Sequence, residues 1–261
     1  MTPAFGEHLK HWRARRRISQ LDLALDAGIS QKHLSFVETG RSVPSRDMVI
    51  RLAEVLDMPL RERNRLLHNA GYAPMYLARP LDDPSLKSAR AAIDQLLTAH
   101  EPYPAIAIDW HWNLVAGNRS VAPLLAVVAD PALLAPPINV LKLSLHPQGL
   151  APFIENLSQW RAHLLIRLRQ QIHTTADPAM ACLLTELEAL PVPENIGAHG
   201  DFGDVFVPLI LTLPVGRLSL FSTTTVFGAP FDVTLSELAI EAFFPADTAT
   251  QTLLQGLAIA P

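Results

Sequence analysis

Cysteine is nearly absent: Cys182 is the one thiol in 261 residues. That excludes an internal disulfide and any zinc site built from several thiolates. Its neighbours Met180, Leu183 and Leu184 are apolar, so a buried, inert thiol is expected; a redox sensor would need a second thiol or charged surroundings. Long hydrophobic runs are also missing. The longest, around 121–129, is broken by Pro123 and too short to span a bilayer. The opening MTPAFGEHLK does not read as a secretory signal, so a cytoplasmic protein with no membrane partner is expected. Catalytic signatures are lacking as well. There is no GxSxG, P-loop or HExxH. Gly197, Gly200 and Gly203 do not follow a strand as a dinucleotide loop requires, and Asp201 and Asp204 beside them read as a solvated turn rather than a carboxylate pair. His8 and His11 have a metal-like spacing but no further ligand nearby, and read as surface residues. Neither an enzyme nor a metal protein is expected, and no cofactor is required.

Charge is sparse, at 18% of residues against 49% hydrophobic, which fits a globular chain. Its distribution is uneven. Residues 1–71 hold 12 Lys/Arg against 8 Asp/Glu, a balance of +4, whereas residues 72–261 hold 9 against 17, a balance of −8. A basic end suits a polyanion, and the acidic remainder repels one. Arg13, Arg15, Arg16 and Arg17 form the densest cluster, which alone would be an ordinary solvated helix face.

What is present near the amino terminus gives that cluster meaning. In SQLDLALDAGISQKHLSFVETGR, residues 19–41, Ser19 and Ser30 stand where helix N-caps belong. Gly28 falls in the turn between two short helices. Leu23, Ala24, Ile29, Leu34 and Val37 form an apolar seam between them, and Gln31, Lys32, His33 and Ser35 are left facing outward. A second helix locked at a fixed angle with polar residues on its free face is how a helix-turn-helix reads bases in the major groove. A helix before this pair has Phe5, Leu9 and Trp12 inward, a fourth is capped by Ser45, and a fifth runs from about 60 to 70 and stops at Gly71. The proline-rich stretch 72–84 reads as a linker between a DNA-binding domain over 1–71 and a second domain over 85–261.

The second domain mixes periods. Ser85 is expected to cap a helix with Leu86, Ala89, Ile93 and Leu96 on one face. AIAIDW and NLVAGN read as two strands around a turn at 109–112, followed by Asn118 and a helix carrying Leu124 and Leu125. Asn139 caps VLKLSL, an amphipathic helix spans about 152–172, and another spans 178–190. DVFVPLILTLP, GRLSLFSTTTVFG and LAIEAFFPA return to strands, with residues 205–212 apolar enough to be covered on both sides.

The first segment resembles the Xre-type, phage-repressor-like family, through Ser19-Gln20, Leu23-Ala24, Ala27-Gly28-Ile29-Ser30, Leu34, Val37-Glu38, Gly40-Arg41, Pro44 and Leu52-Ala53. The resemblance implies an all-α, five-helix, lambda-repressor-like domain that binds double-stranded DNA. On that model Gln31, Lys32, His33 and Phe36 address bases, where Gln pairs with adenine and Lys with guanine. Phe36 departs from the polar residue common there. Gln20 resembles the family's phosphate-clamping glutamine, and Ser30, Arg41, Ser42, Arg46, Arg13 and Arg16 are further phosphate candidates. Residues 90–255 are similar to the MmyB-like ligand-binding domain, through YPAIAIDWHWNLVAGN, NVLKLSLHPQGLAPFIENLSQWR and VFGAPFDVTLSELAIEAFFPAD. That resemblance implies a PAS-like α+β sensor fold, a homodimer and a fatty-acid-like ligand in the core. Candidate wall residues are Trp112, Leu141, Leu145, Trp160, Leu164, Ile210 and Phe221, with His146, Arg161 or His163 meeting a carboxylate head. Each wall candidate reads first as an ordinary core residue and only second as a ligand contact. A protein partner in place of a small ligand is the alternative for this domain.

Overall fold

The computed structural model describes residues 3–191, 207–228 and 232–259. It divides into two compact units, Met1–Pro80 with Ala229–Ser236, and Leu81–Gly228 with Glu237–Pro261. Gly197, Gly200, Gly203, Asp201 and Asp204 lie outside the described residues.

The first unit is helical: α1 (Pro3–Arg15), α2 (Gln20–Asp26), α3 (Gln31–Glu38), α4 (Arg46–Val55) and α5 (Leu60–Asn69). The hydroxyls of Ser19, Ser30 and Ser45 accept the backbone N–H groups of Asp22, His33 and Met48, satisfying donors a helix start leaves without partners. Gly28 and Gly40, at φ +65° and +75°, turn the chain at the ends of α2 and α3 in the left-handed conformation that glycine adopts without strain. Phe5, Leu9, Trp12, Leu23, Leu34, Val37, Leu52 and Leu66 are fully buried and close a single core.

The expected linker behaves differently along its length. Asn64 accepts the amides of Met75 and Tyr76 and donates to the Tyr76 carbonyl, and the Tyr72 hydroxyl donates to Pro44 O. These bonds hold residues 72–76 to the helices, and this unit extends to Pro80. It also takes in a distant segment, α11 (Val233–Ser236). Val233 N–H donates to Leu77 O at 2.7 Å and the Thr234 hydroxyl to Arg79 O at 2.6 Å. The Val233 side chain is wholly buried. Val233→Ala is expected to cost about 2 kcal/mol, the transfer of two methyl groups plus an unfilled space. Amide exchange in α5 should report it, and unaltered protection there would show that the segment contributes nothing to this unit.

The second unit is α+β. A short turn, Pro84–Leu86, leads into α6 (Lys87–Ala99). Asp83 caps this start in place of Ser85, accepting both the amide and the hydroxyl of Ser85. Leu86, Ile93 and Leu97 face inward, and Leu96 is exposed, so the buried stripe steps from Ile93 by four residues rather than three. β1 (Ala105–Ile108) and β2 (Leu114–Gly117) form the expected hairpin; α7 (Ala122–Leu125) and α8 (Val140–Leu145) follow, α8 capped by Asn139. α9 (Leu157–Thr175) starts five residues later than the sequence period suggested. Ile154 instead bridges to Leu211, and the Asn156 amide binds Pro208 O and Ile210 N–H, so residues 154–156 cover the edge of a strand. α10 (Pro178–Glu188) buries Met180, Leu183 and Leu187 at helical spacing. Cys182 lies off that face and is exposed, correcting the expected buried thiol.

β3 (Leu209–Leu213), β4 (Gly216–Val226) and β5 (Ala239–Pro245) complete an antiparallel sheet ordered β2-β1-β5-β4-β3. Glu241 on β5 stands opposite Ile106 of β1 and Thr224 of β4. A last helix, α12 (Thr248–Ile259), has no counterpart in the sequence reading. Its threonines and Gly256 are poor helix formers. It is held by Asp247, which accepts the Thr250 amide, and by Thr250, whose hydroxyl accepts Ser219 N–H.

Candidate functional site

The DNA-facing candidates fall into two groups. Gln31 and Lys32 lie exposed in the first turn of α3, and His33 beside them is half-buried. Arg41 and Arg46 are exposed, and Ser42 is half-buried. Arg41 and Ser42 donate their amides to Phe36 O, which folds the chain back over α3. The half-buried Phe36 ring consequently has Lys32 Nζ at 5.7 Å and Arg41 Cζ at 5.9 Å from its centroid. Phe36 thus gathers two cations by cation–π attraction, a role beyond the base contact that the sequence suggested for it.

The other group is committed within the unit. The Glu38 carboxylate is buried, and it accepts Arg13 Nε at 2.8 Å, Arg13 Nη2 at 3.3 Å and Gln20 Nε2 at 2.8 Å. Arg16 donates to the carbonyls of Leu56 and Asp57. Arg13, Arg16 and Gln20 therefore tie α1, α2, α3 and the end of α4 together. The Ser30 hydroxyl oxygen accepts His33 N–H at the cap of α3, which leaves its O–H to donate. His8 is likewise not a bare surface residue: it meets Glu62, Trp12 and Asn69 at 3.1 Å each. Burial opposes the Glu62 charge, but hydrogen bonds from His8 and Arg65 hold its carboxyl below the usual range. Among the described residues no cluster of three or more His, Cys, Asp or Glu could hold a metal.

The second unit contains an apolar cavity of about 80 Å3. Trp112, Leu141, Trp160 and Leu164 line it, as do Ile106, Leu124 and Phe243. Leu145 and Ile210 are buried elsewhere in the core, and Phe221 stacks on Phe244. His146 faces a separate, more open hollow of about 850 Å3, together with Lys142, Cys182 and Glu186. Arg161 donates to the carbonyls of Leu187 and Glu188, where it satisfies the end of α10. His163 stacks on Trp160 at 5.5 Å, and burial and the Arg167 charge hold it below the ordinary histidine value against the pull of Glu241.

Two polar groups belong to the cavity wall. Ser144 accepts the Trp160 indole N–H at 2.9 Å. Glu241 is bound end-on by Arg167, at 2.7 and 3.1 Å, and accepts the Ser222 hydroxyl at 2.7 Å. The sequence reading passed over this pair. Its signal was there: Arg167 recurs with Trp160 and Leu164 on the inner face of α9, and Glu241 alternates with Ala239 and Phe243 along a strand.

A third polar junction orders the turn beside the cavity. Asp177 accepts Trp110 Nε1 at 3.0 Å, lies 2.9 Å from His111 Nε2, and caps α10 through the Ala179 amide. Burial raises its carboxyl pKa, and these partners together bring it below the usual aspartate value. A depressed folded-state value contributes stability at neutral pH that is lost as the pH falls below about 4. Asp177→Asn is expected to lower stability by about 1 kcal/mol at pH 7 and to flatten the acid limb of a stability–pH profile. A parallel profile in the variant would remove Asp177 from that limb.

A capped helix pair with exposed polar residues on its second helix, and a separate α+β unit with an apolar cavity, are the two parts of a ligand-responsive DNA-binding transcription regulator, as the family matches bear out. Residues 4–66 match the model of a helix-turn-helix domain, and residues 89–257, more than half of the chain, match that of the MmyB-like transcription regulator ligand binding domain. The chain belongs to this family of MmyB-like regulators. Among curated proteins none matches it. No helix among the described residues is long and apolar enough to cross a membrane.

Proposed function

We propose that the protein is a homodimeric, sequence-specific DNA-binding regulator whose second unit takes up a fatty-acid-like molecule and thereby alters operator binding. The carbon-lined cavity, with polar groups confined to Ser144 and Glu241, is the observation that carries the ligand class. Such a wall discriminates against sugars and nucleotides, whose polar groups would go unpaired. Each methylene buried contributes roughly 0.8 kcal/mol, so a chain of about a dozen carbons gains on the order of 10 kcal/mol gross.

Size supplies the switch. A cavity of about 150 Å3 takes a guest the size of benzene, and this one measures about 80 Å3. A dozen carbons exceed that volume, and the part of the chain held inside is accommodated by outward movement of the walls. A ligand that binds the expanded form better than the contracted one shifts the balance between them. Phe243 and Glu241 on the wall lie on β5, which follows α11 in the chain; α11 belongs to the DNA-binding unit. Expansion at β5 is thus covalently connected to that unit over a few residues. Dimerisation rests on interface size: one small DNA-binding domain buries too little surface for tight specific binding, and two copies read half-sites about one helical turn apart.

Organic extraction of the purified protein followed by mass spectrometry tests the ligand class. A stoichiometric long-chain acid is expected. A lipid-free protein with a co-purifying polypeptide would replace this reading with that of a protein-binding domain. Light scattering should give a dimer, and a monomer with and without DNA would contradict the paired half-sites.

A further inference from the structure

We propose that Arg167 is the receptor for the ligand's carboxylate, and that the incoming acid takes the place of Glu241 on its guanidinium. This rests on the acyl-ligand reading of the same cavity and adds the residue that recognises the head group. The argument begins with what the wall offers an acid. Its ionisable member is Glu241, which repels one. The Ser144 hydroxyl is engaged by Trp160. Arg161 is fixed to the end of α10, and His146 faces the other hollow. His163 is held towards its neutral form by burial and by Arg167 itself. Arg167 is the cation placed against the wall: its Cζ lies 4.8 Å from the centroid of the Trp112 ring, a wall residue.

The guanidinium is already arranged for a carboxylate. Two parallel N–H···O bonds hold Glu241, Thr224 accepts a further bond at 3.1 Å, and the indole face fixes the plane. This fork geometry serves any carboxylate equally. Glu241 lines the cavity and Arg167 stands behind it, against the Trp112 ring, and the two differ in exposure to solvent. The Glu241 side chain is 5% exposed, whereas that of Arg167 is 22% exposed. A buried ion pair against a carbon-lined chamber is weak evidence for stability, because well-packed apolar residues would do as well there. A pair that exchanges one carboxylate for another gives it a use. Ser222, already donating to Glu241 Oε1, remains as a partner when the guanidinium is given up.

The test compares dodecanoic acid with dodecanol on the lipid-extracted, full-length protein by calorimetry. Glu241→Gln keeps the shape of the side chain and removes the competing charge. It is expected to tighten the acid roughly tenfold or more, the value of one charge-assisted hydrogen bond, and to leave the alcohol unchanged. The double variant R167Q/E241Q removes both charges together. It should still bind the alcohol and lose its preference for the acid. An unchanged acid affinity in Glu241→Gln, or an acid preference that survives in the double variant, would overturn the assignment of Arg167 while leaving the cavity reading intact. Failure of every form to bind either molecule would remove the acyl-ligand reading, and this proposal with it.

Discussion

Replacing Gly6 with alanine is expected to unfold the DNA-binding unit. Alanine is ordinarily the better helix former, by about 1 kcal/mol, so propensity alone predicts a gain. Packing reverses the sign. A Cβ on Gly6 would stand 2.0 Å from the Glu38 carbonyl oxygen and 2.7 Å from its carbon. These are backbone atoms at the end of α3, and they cannot swing aside as a side-chain tip would. α1 must move away from α3, and that movement breaks the bonds that bring Arg13 and Gln20 onto the buried Glu38. Overpacking typically costs about 1–3 kcal/mol, and loss of partners for a buried carboxylate adds to that. Hydrogen exchange should show α1 to α5 losing protection while β1, β4 and β5 keep theirs, since each unit has its own core. A stabilised Gly6→Ala protein would show that propensity outweighs the clash.

The second large effect concerns base reading. The double change Gln31→Ala and Lys32→Ala is expected to flatten discrimination among DNA sequences, because each well-formed pairing to a base edge is worth about 1–3 kcal/mol. Both side chains are exposed and neither enters the core, so stability should hold. Arg41→Ala should behave differently. It should weaken all sequences alike and make the salt dependence shallower by about one ion, because a phosphate interaction carries no sequence information. The preferred site must first be found by selection from random DNA. If the double variant selects the same site with undiminished preference, α3 does not read it through these residues.

The helical unit was largely legible in the sequence, and the reason is local. Ser19, Ser30 and Ser45 act on amides three residues away, and Gly28 and Gly40 set single backbone angles. Such signals need no knowledge of the rest of the chain. The internal partners of Arg13 and Arg16 were less legible because they are remote. Arg13 meets Glu38 across 25 residues, and Arg16 meets Leu56 O across 40. An arginine on a basic helix looks the same in sequence whether it faces DNA or holds a neighbouring helix.

The second unit shows the same division. The hairpin of β1 and β2 and the cap of α8 could be read from short-range patterns. The late start of α9 could not, since Ile154 and Asn156 are drawn off by a strand more than 50 residues away. Nor could the cavity wall. Leu145 and Ile210 have the same chemistry as Leu141 and Leu164, and only packing decides which of them meets the cavity. The Arg167–Glu241 pair joins residues 74 apart, and the assignment of α11 to the first unit joins residues 155 apart at Thr234 and Arg79.

Coupling between the two sites is the centre of the account, and one titration addresses it: operator affinity of the lipid-extracted and the dodecanoate-loaded protein at one salt concentration. A change of at least about fivefold is expected, the lower end of an allosteric coupling energy of about 1–3 kcal/mol, with the operator altering dodecanoate affinity by the same factor. Equal operator affinities in the two forms, both binding specifically, would contradict it.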